Sequence, residues 1–249
     1  MKKLRLLLLA CCCWPALAWP AAGYTQKLGA QLPLQASFRD ENGAPRRLGD
    51  FFQGRPVILV LGYYHCPRLC STVMDGVLQM AQLLDLPYAI VAISIDPRET
   101  PAAALRKRAA YLAADDGTQA RSLHLLTGGP AAIAGVARQA GFDYSYDPAS
   151  DQYTHPAGFV VATPDGLVSR YFPGLRFDAR DIRLALIEAS RYRIGSLSER
   201  LVLLCSHYDP LEGRYNIAVM ALLRIIGAAT MLALAGWVWL LSRRARRRR

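Results

Sequence analysis

Gly62-Tyr63-Tyr64-His65-Cys66-Pro67-Arg68-Leu69-Cys70-Ser71-Thr72 follows directly on the apolar run Val57-Ile58-Leu59-Val60-Leu61. The run is rich in β-branched residues and bounded upstream by Gly54 and Pro56, the pattern of a buried strand. Past Cys70 the period changes, with Val73, Val77, Met80, Ala81 and Leu84 recurring at helical spacing. Two cysteines therefore sit at a strand-to-helix switch with three residues between them. A helix starting near Pro67, a residue suited to a first turn, puts Cys66 and Cys70 on one side with Cβ atoms about 5–6 Å apart. That separation suits a disulfide after modest adjustment or a shared soft metal ion. The positive end of a helix also favours the thiolate over the thiol. On either reading the position favours reactive sulfur.

The two ends of the 249-residue chain are of a different character from its middle. Lys2, Lys3 and Arg5 precede an apolar stretch from Leu6 to Ala18, and Ala16-Leu17-Ala18 fits a cleavage site, so residues 1–18 read as a signal peptide. Leu8-Leu9-Ala10-Cys11 also fits lipoprotein processing. At the far end the uncharged run Ile225 to Leu241 is long enough, with its flanks, to cross a bilayer. Residues 216–242 are expected to form a transmembrane helix with Trp237 and Trp239 towards one interface. Residues 243–249 carry six arginines, which by the positive-inside rule places the C-terminus in the cytoplasm.

The formal net charge is +11, yet six of those charges belong to the tail and three to Lys2, Lys3 and Arg5. The intervening chain is left with a net +2, so the basic balance reports topology and argues against a nucleic-acid partner. The main body is then expected in the periplasm of a bacterial-type cell, held to the inner membrane by its C-terminal helix. In that oxidising space only Cys66, Cys70 and Cys205 remain, too few for a disulfide-stapled scaffold.

Between the ends, residues 19–33 read as an unstructured tether, 34–195 as one domain and 196–215 as a juxtamembrane segment. Asp40-Glu41-Asn42-Gly43 suits a hairpin or tight loop. Tyr88 to Ile95 repeats the buried-strand pattern, and Asp96 to Pro101 is a loop in which Thr100 and Pro101 suit the N-cap and first residue of a helix. A short strand at Leu123 to Leu126 precedes a helix from Pro130 to Ala140, with Gly141 as its stop. Phe159 to Ala162 and Leu167 to Phe172 flank the turn Thr163-Pro164-Asp165-Gly166 as a hairpin, and a helix from about Asp178 to Ser190 closes the domain. Strands alternating with helices and ending in a hairpin plus helix indicate an α/β sandwich with a mixed central β-sheet.

His155 lies 85 residues after Cys70, in a loop just before the hairpin strand, and such a loop can return beside the end of the Cys66 strand. Two thiolates and one imidazole make a soft, low-coordinate set suited to Cu(I), or to Cu(II) with a further ligand. Zinc is a poorer match because structural zinc wants four protein ligands. Adjacent side chains diverge, so His65 reads as a loop residue, and His124, within a strand pattern, reads as packed core.

Tyr64-His65-Cys66-Pro67-Arg68-Leu69-Cys70, Ser94-Ile95-Asp96-Pro97 with Thr100-Pro101, and His155 ahead of Thr163-Pro164-Asp165-Gly166 resemble the SCO/SenC family over about residues 33–192. The resemblance implies a thioredoxin-like fold, copper held by Cys66, Cys70 and His155, and assembly of the binuclear copper centre of cytochrome c oxidase. It also implies a thiol-reductase role towards that oxidase subunit. The chain departs from the family pattern at Arg68, Leu69 and Ser71, and has Thr154 where an acidic residue often precedes the histidine.

The expected function is that of a membrane-anchored metallochaperone rather than an enzyme. Cys66 and Cys70 form a disulfide when oxidised and bind copper with His155 when reduced. Its partners would be the copper-binding subunit of cytochrome c oxidase, other copper carriers and thiol–disulfide reductants. The rival is a thiol–disulfide oxidoreductase with Cys66 as attacking thiolate and Cys70 as resolver. Cys205 and His207 form a Cys-x-His pair that could supply two further soft ligands, or a plain juxtamembrane loop. Cys205→Ser decides between these: unchanged copper stoichiometry in the purified chain removes the metal reading of that pair.

Overall fold

The computed structural model describes residues 24–66, 69–113 and 122–195 and eight single positions between 227 and 243, leaving aside the side chains of residues 69–71. The signal peptide at 1–18, the juxtamembrane segment with Cys205 and His207, and most of the span expected at 216–242 lie outside the described residues. The single positions Met231, Leu234, Trp237 and Trp239 are helical and exposed. Among the described residues no helix is long and apolar enough to cross a membrane.

The two uninterrupted apolar runs become the centre of the sheet. Strand β3 (Val57–Gly62) pairs in parallel with β4 (Ala89–Ser94) over all six residues. Side chains alternate across a strand, so Val57, Leu59 and Leu61 enter one core and Ile58 and Val60 the other. Both faces are covered, which is why neither run alternates with polar residues.

Four helices complete the layers: α1 (Leu69–Ala81), α2 (Pro101–Leu112), α3 (Pro130–Gln139) and α4 (Ala179–Ser190). Helices α1, α2 and α4 bury Val73, Val77, Ala104, Ile182 and Leu186 on one face of the sheet. Helix α3 and the 3-10 turn Leu48–Phe51 cover the other, through Ile133, Val136, Leu48 and Phe51. The expected cap at Thr100 is in place, its Oγ1 accepting from the Ala103 amide at 3.3 Å, and Asp178 caps α4 in the same way, accepting from the Arg180 amide at 2.7 Å. Gly141 ends α3 with φ +60°, and a Cβ there would run into the Thr25 carbonyl.

The other strands are β1 (Ser37–Arg39), β2 (Pro45–Arg47), β5 (Leu123–Gly128), β8 (Gly158–Ala162) and β9 (Val168–Pro173), in the order β2-β1-β5-β4-β3-β8-β9. Strands β4 and β5 run parallel to β3, whereas β8 and β9 are antiparallel. A β3-α1-β4 crossover followed by a β8-β9-α4 hairpin unit, in the order β4-β3-β8-β9, is the arrangement of a thioredoxin-like fold, as the resemblance implied. Between them a separate two-stranded hairpin, β6 (Ser145–Asp147) with β7 (Gln152–Thr154), stands beside the sheet. Periodicity did not reveal it.

The segment expected as a tether is a correction. From Tyr24 to residue 33 the chain is bound along the domain, with Leu32 buried. Tyr24 bridges Phe142 and Gln31 bridges Leu167. The Tyr24 hydroxyl donates to Gly158 O at 3.1 Å, while the Gly29 and Leu32 amides donate to Val168 O and Gly166 O at 2.8 and 2.9 Å. Scattered prolines and glycines looked loop-like, but the open edge of β9 and its turn supplied backbone partners.

Leu32→Ala is therefore expected to cost about 2–5 kcal/mol by chemical denaturation, as for other buried leucines, whereas a tether residue would cost nothing. His124 offers a pH test. Its ring packs 4.8 Å from that of Phe51, and burial holds its imidazole below the ordinary histidine value against the opposing pull of Glu41. On acidification the unfolded chain takes up this proton first, so stability falls as pH drops through about 6.5 and levels off below the folded-state value. His124→Phe is expected to flatten that part of the stability profile between pH 7.5 and 5.5, read as urea midpoints.

Candidate metal centre

Parallel pairing sends β3 and β4 out of the sheet at the same edge, and the antiparallel β8 enters at that edge. Three loops meet there: residues 63–66 after β3, residues 95–100 after β4, and residues 155–157 before β8. Open α/β sheets place their sites at such strand ends.

Cys66 is buried, and its amide donates to Tyr63 O at 3.3 Å, closing a turn before α1. The described part of α1 starts at Leu69, with Cys70 in its first turn. His155 is also buried, stacked on Phe142 at 5.6 Å between ring centroids. Its Nδ1 lies 2.9 Å from Pro156 O. A carbonyl can only accept, so the ring proton sits on Nδ1 and the lone pair on Nε2. The bond preceding Pro156 is trans.

Tyr63 joins these two residues. It is buried, its carbonyl takes the Cys66 amide, and its ring meets the His155 ring edge-on at 5.8 Å. The same ring lies 5.4 Å from Tyr153 and 4.8 Å from His65. The structure thus brings the loop carrying His155 to the Cys66 turn. The Cys70 side chain, the third expected ligand, is outside the described set. Among the described residues no group of three His, Cys, Asp or Glu side chains converges to hold a metal.

The loop after β4 contributes what the sequence reading passed over. Glu99 has a side chain only 6% exposed and accepts the amides of Tyr64 (2.8 and 2.9 Å) and His65 (2.9 Å) and the Ser94 hydroxyl (2.6 Å). His65 Nδ1 lies 2.7 Å from the same carboxylate. His65 lies in the loop after β3, as expected, and its ring is held there by Glu99. Asp96 is buried and gripped by Arg98, with Nε and Nη2 contacts of 2.7–3.1 Å. Burial works to raise the Asp96 carboxyl, but the Arg98 guanidinium and amide outweigh it and hold it below the usual carboxylate range. Arg98 also reaches Asp151 (2.9 Å) and the Tyr146 hydroxyl (3.1 Å) on the β6–β7 hairpin. One signal was available: two acidic residues close behind a buried strand parallel to that of Cys66 must emerge at the same edge.

Comparison with known proteins gives the family and the fold. The SCO1/SenC family profile matches residues 29–189, more than half of the chain. The mitochondrial SCO2 homologue of Mus musculus is 28% identical over 145 residues, 55% of this chain and 54% of that protein, so the chain spans about half the length of that relative. Arabidopsis thaliana ScoI, crystallised with copper bound, superposes with a TM-score of 0.53 at 19% identity, over 67% of this chain and 99% of that one. BsSco, described as a disulfide-switch member of the Sco family of cytochrome c oxidase assembly proteins, gives 0.50 at 20% identity, over 68% and 100%. At such identities the two structures speak for the fold. With the profile match spanning the strand-helix switch, the loop after β4 and the His155 loop alike, this chain belongs to the SCO1/SenC family.

Proposed function

We propose that this protein is a copper-binding assembly factor that takes up one copper ion as cargo on Cys66, Cys70 and His155. It passes the ion to the copper-binding subunit of cytochrome c oxidase. One observation carries the reading: Tyr63 accepts the Cys66 amide and contacts the His155 ring, so residues 89 apart in sequence share one neighbour. Thiolate sulfur and imidazole nitrogen suit Cu(I), and Cu(II) when a further ligand joins. With the His155 proton held on Nδ1 by Pro156 O, Nε2 carries the donor lone pair. When the Cys66 and Cys70 thiols are oxidised to a disulfide, their two electrons and two protons go to a partner's disulfide, which opens to a dithiol; neither sulfur is then left as a thiolate, so uptake belongs to the reduced form. Binding and release make this a carrier rather than a turnover enzyme. The apolar run and arginine tail at the C-terminus would hold it on the inner membrane with the domain in the periplasm.

A second reading, thiol–disulfide exchange on the oxidase subunit, draws on the cysteine pair at the positive end of α1, with Cys66 just ahead of the helix as attacking thiolate and Cys70 in its first turn as resolver. One variant separates the two. In anaerobic Cu(I) titration of the reduced full-length chain against a competing chelator, the wild type is expected to bind one copper, with two sulfur and one nitrogen neighbours by X-ray absorption. His155→Ala should weaken binding at least about tenfold with an unchanged far-UV circular dichroism spectrum. Wild-type affinity in that variant would overturn the copper reading, and intact disulfide turnover in it would favour exchange.

A further inference from the structure

We propose that the loop of residues 95–100 is a clamp that sets the separation of the two halves of the copper site, with Glu99 and Arg98 as its positioning residues. The inference rests on the copper reading above and assigns these side chains a role that the ligand set does not include.

Glu99 fixes the sulfur half. Two successive amides, Tyr64 and His65, wrap one carboxylate, the concave anion-binding arrangement that consecutive backbone N–H groups form. The His65 ring and the Ser94 hydroxyl complete its partners. These are the two residues just before Cys66, and the Cys66 amide closes the same turn on Tyr63 O. The Tyr64 hydroxyl adds anchors on Ala92 O (3.2 Å) and Leu126 O (2.7 Å), so the turn is tied to β4 and β5. The carboxylate thus governs where the Cys66 backbone sits without touching the sulfur.

Arg98, the neighbouring residue, fixes the imidazole half. Its guanidinium is held by buried Asp96 on one side and reaches across to Asp151 and Tyr146 on the other, with its Cζ 4.8 Å from the Tyr146 ring. The Tyr146 hydroxyl donates to Asp151 at 2.7 Å, closing a three-membered network across the β6–β7 hairpin. Ser145 pairs with Thr154, so the clamped hairpin ends one residue before His155. Tyr153 from β7 packs on Tyr63, joining the two halves again through aromatic contact. Adjacent residues of one loop therefore grip the chain ahead of each candidate ligand. Copper affinity and ligand geometry should follow both grips.

The test uses the full-length chain with Glu99→Gln, Arg98→Ala, Cys66→Ser and His155→Ala. Two quantities are read: Cu(I) affinity against a competing chelator, and the thiolate-to-copper charge-transfer band of the Cu(II)-loaded protein. Glutamine keeps one accepting oxygen but loses the second, so Glu99→Gln is expected to weaken Cu(I) binding about tenfold and to shift the band, as changes behind a metal ligand do. Arg98→Ala, at a side chain half exposed to solvent, is expected to weaken binding threefold or more and to shift the band, with a lowered thermal midpoint because buried Asp96 loses its guanidinium donors. Wild-type affinity and band in either variant overturn its half of the clamp. Should Glu99→Gln fail to fold, Ser94→Ala, which removes one donor to Glu99, replaces it and is judged by the same criterion. Full copper binding in both Cys66→Ser and His155→Ala would instead sink the copper reading, leaving the two failures distinguishable.

Discussion

The parallel pairing of β3 with β4, in register from Val57 opposite Ala89 to Gly62 opposite Ser94, is the constraint on which the functional edge depends. Parallel strands joined by a crossover helix leave the sheet on the same side. That brings the turn at Cys66 and the loop at Asp96–Glu99 together whatever their side chains. The antiparallel strand β8, with Leu59 opposite Val160, then begins where β3 ends and delivers His155 to the same edge. The chemistry is assembled by strand direction first and by side chains second.

What the edge then requires is polar satisfaction. Asp96 is buried and Glu99 nearly so, and a buried carboxylate is costly unless each oxygen has a donor. Here the donors are themselves functional: amides ahead of Cys66, the His65 ring, and a guanidinium that also holds the hairpin leading to His155. Leaving one such group unpaired costs about 1–3 kcal/mol, more when it is charged. The loops that carry Cys66 and His155 are thereby held by the same interactions that satisfy the fold.

The departures from the family pattern gain a context from this arrangement. Arg68 and Leu69 stand where acidic and apolar residues are often found between the cysteines, and Thr154 precedes the histidine. Negative charge near His65 comes instead from Asp96, Glu99 and Asp151, carried on the loop after β4 and on the hairpin turn, with Arg98 offsetting part of it. Charge around the candidate ligands is a property of three loops together, so substitution within the cysteine motif alone does not define it.

Much of the fold was legible in the chain itself because it rests on local pattern. Uninterrupted apolar runs marked β3 and β4, the shift to helical spacing marked α1, Thr100 with Pro101 announced α2, and Thr163-Pro164-Asp165-Gly166 marked the β8–β9 turn. The cysteine pair at a strand-to-helix switch and the lone histidine before a strand were likewise visible. Contacts between distant segments were not. The docking of residues 24–33 depends on partners 134 residues away, the β6–β7 hairpin is too short and polar for periodicity to register, and Glu99 finds the amides of Tyr64 and His65 only after β3 and β4 lie side by side. Spacing along the chain carries which elements form; which polar groups meet is set by strand order and register, and these exist only once the sheet is built.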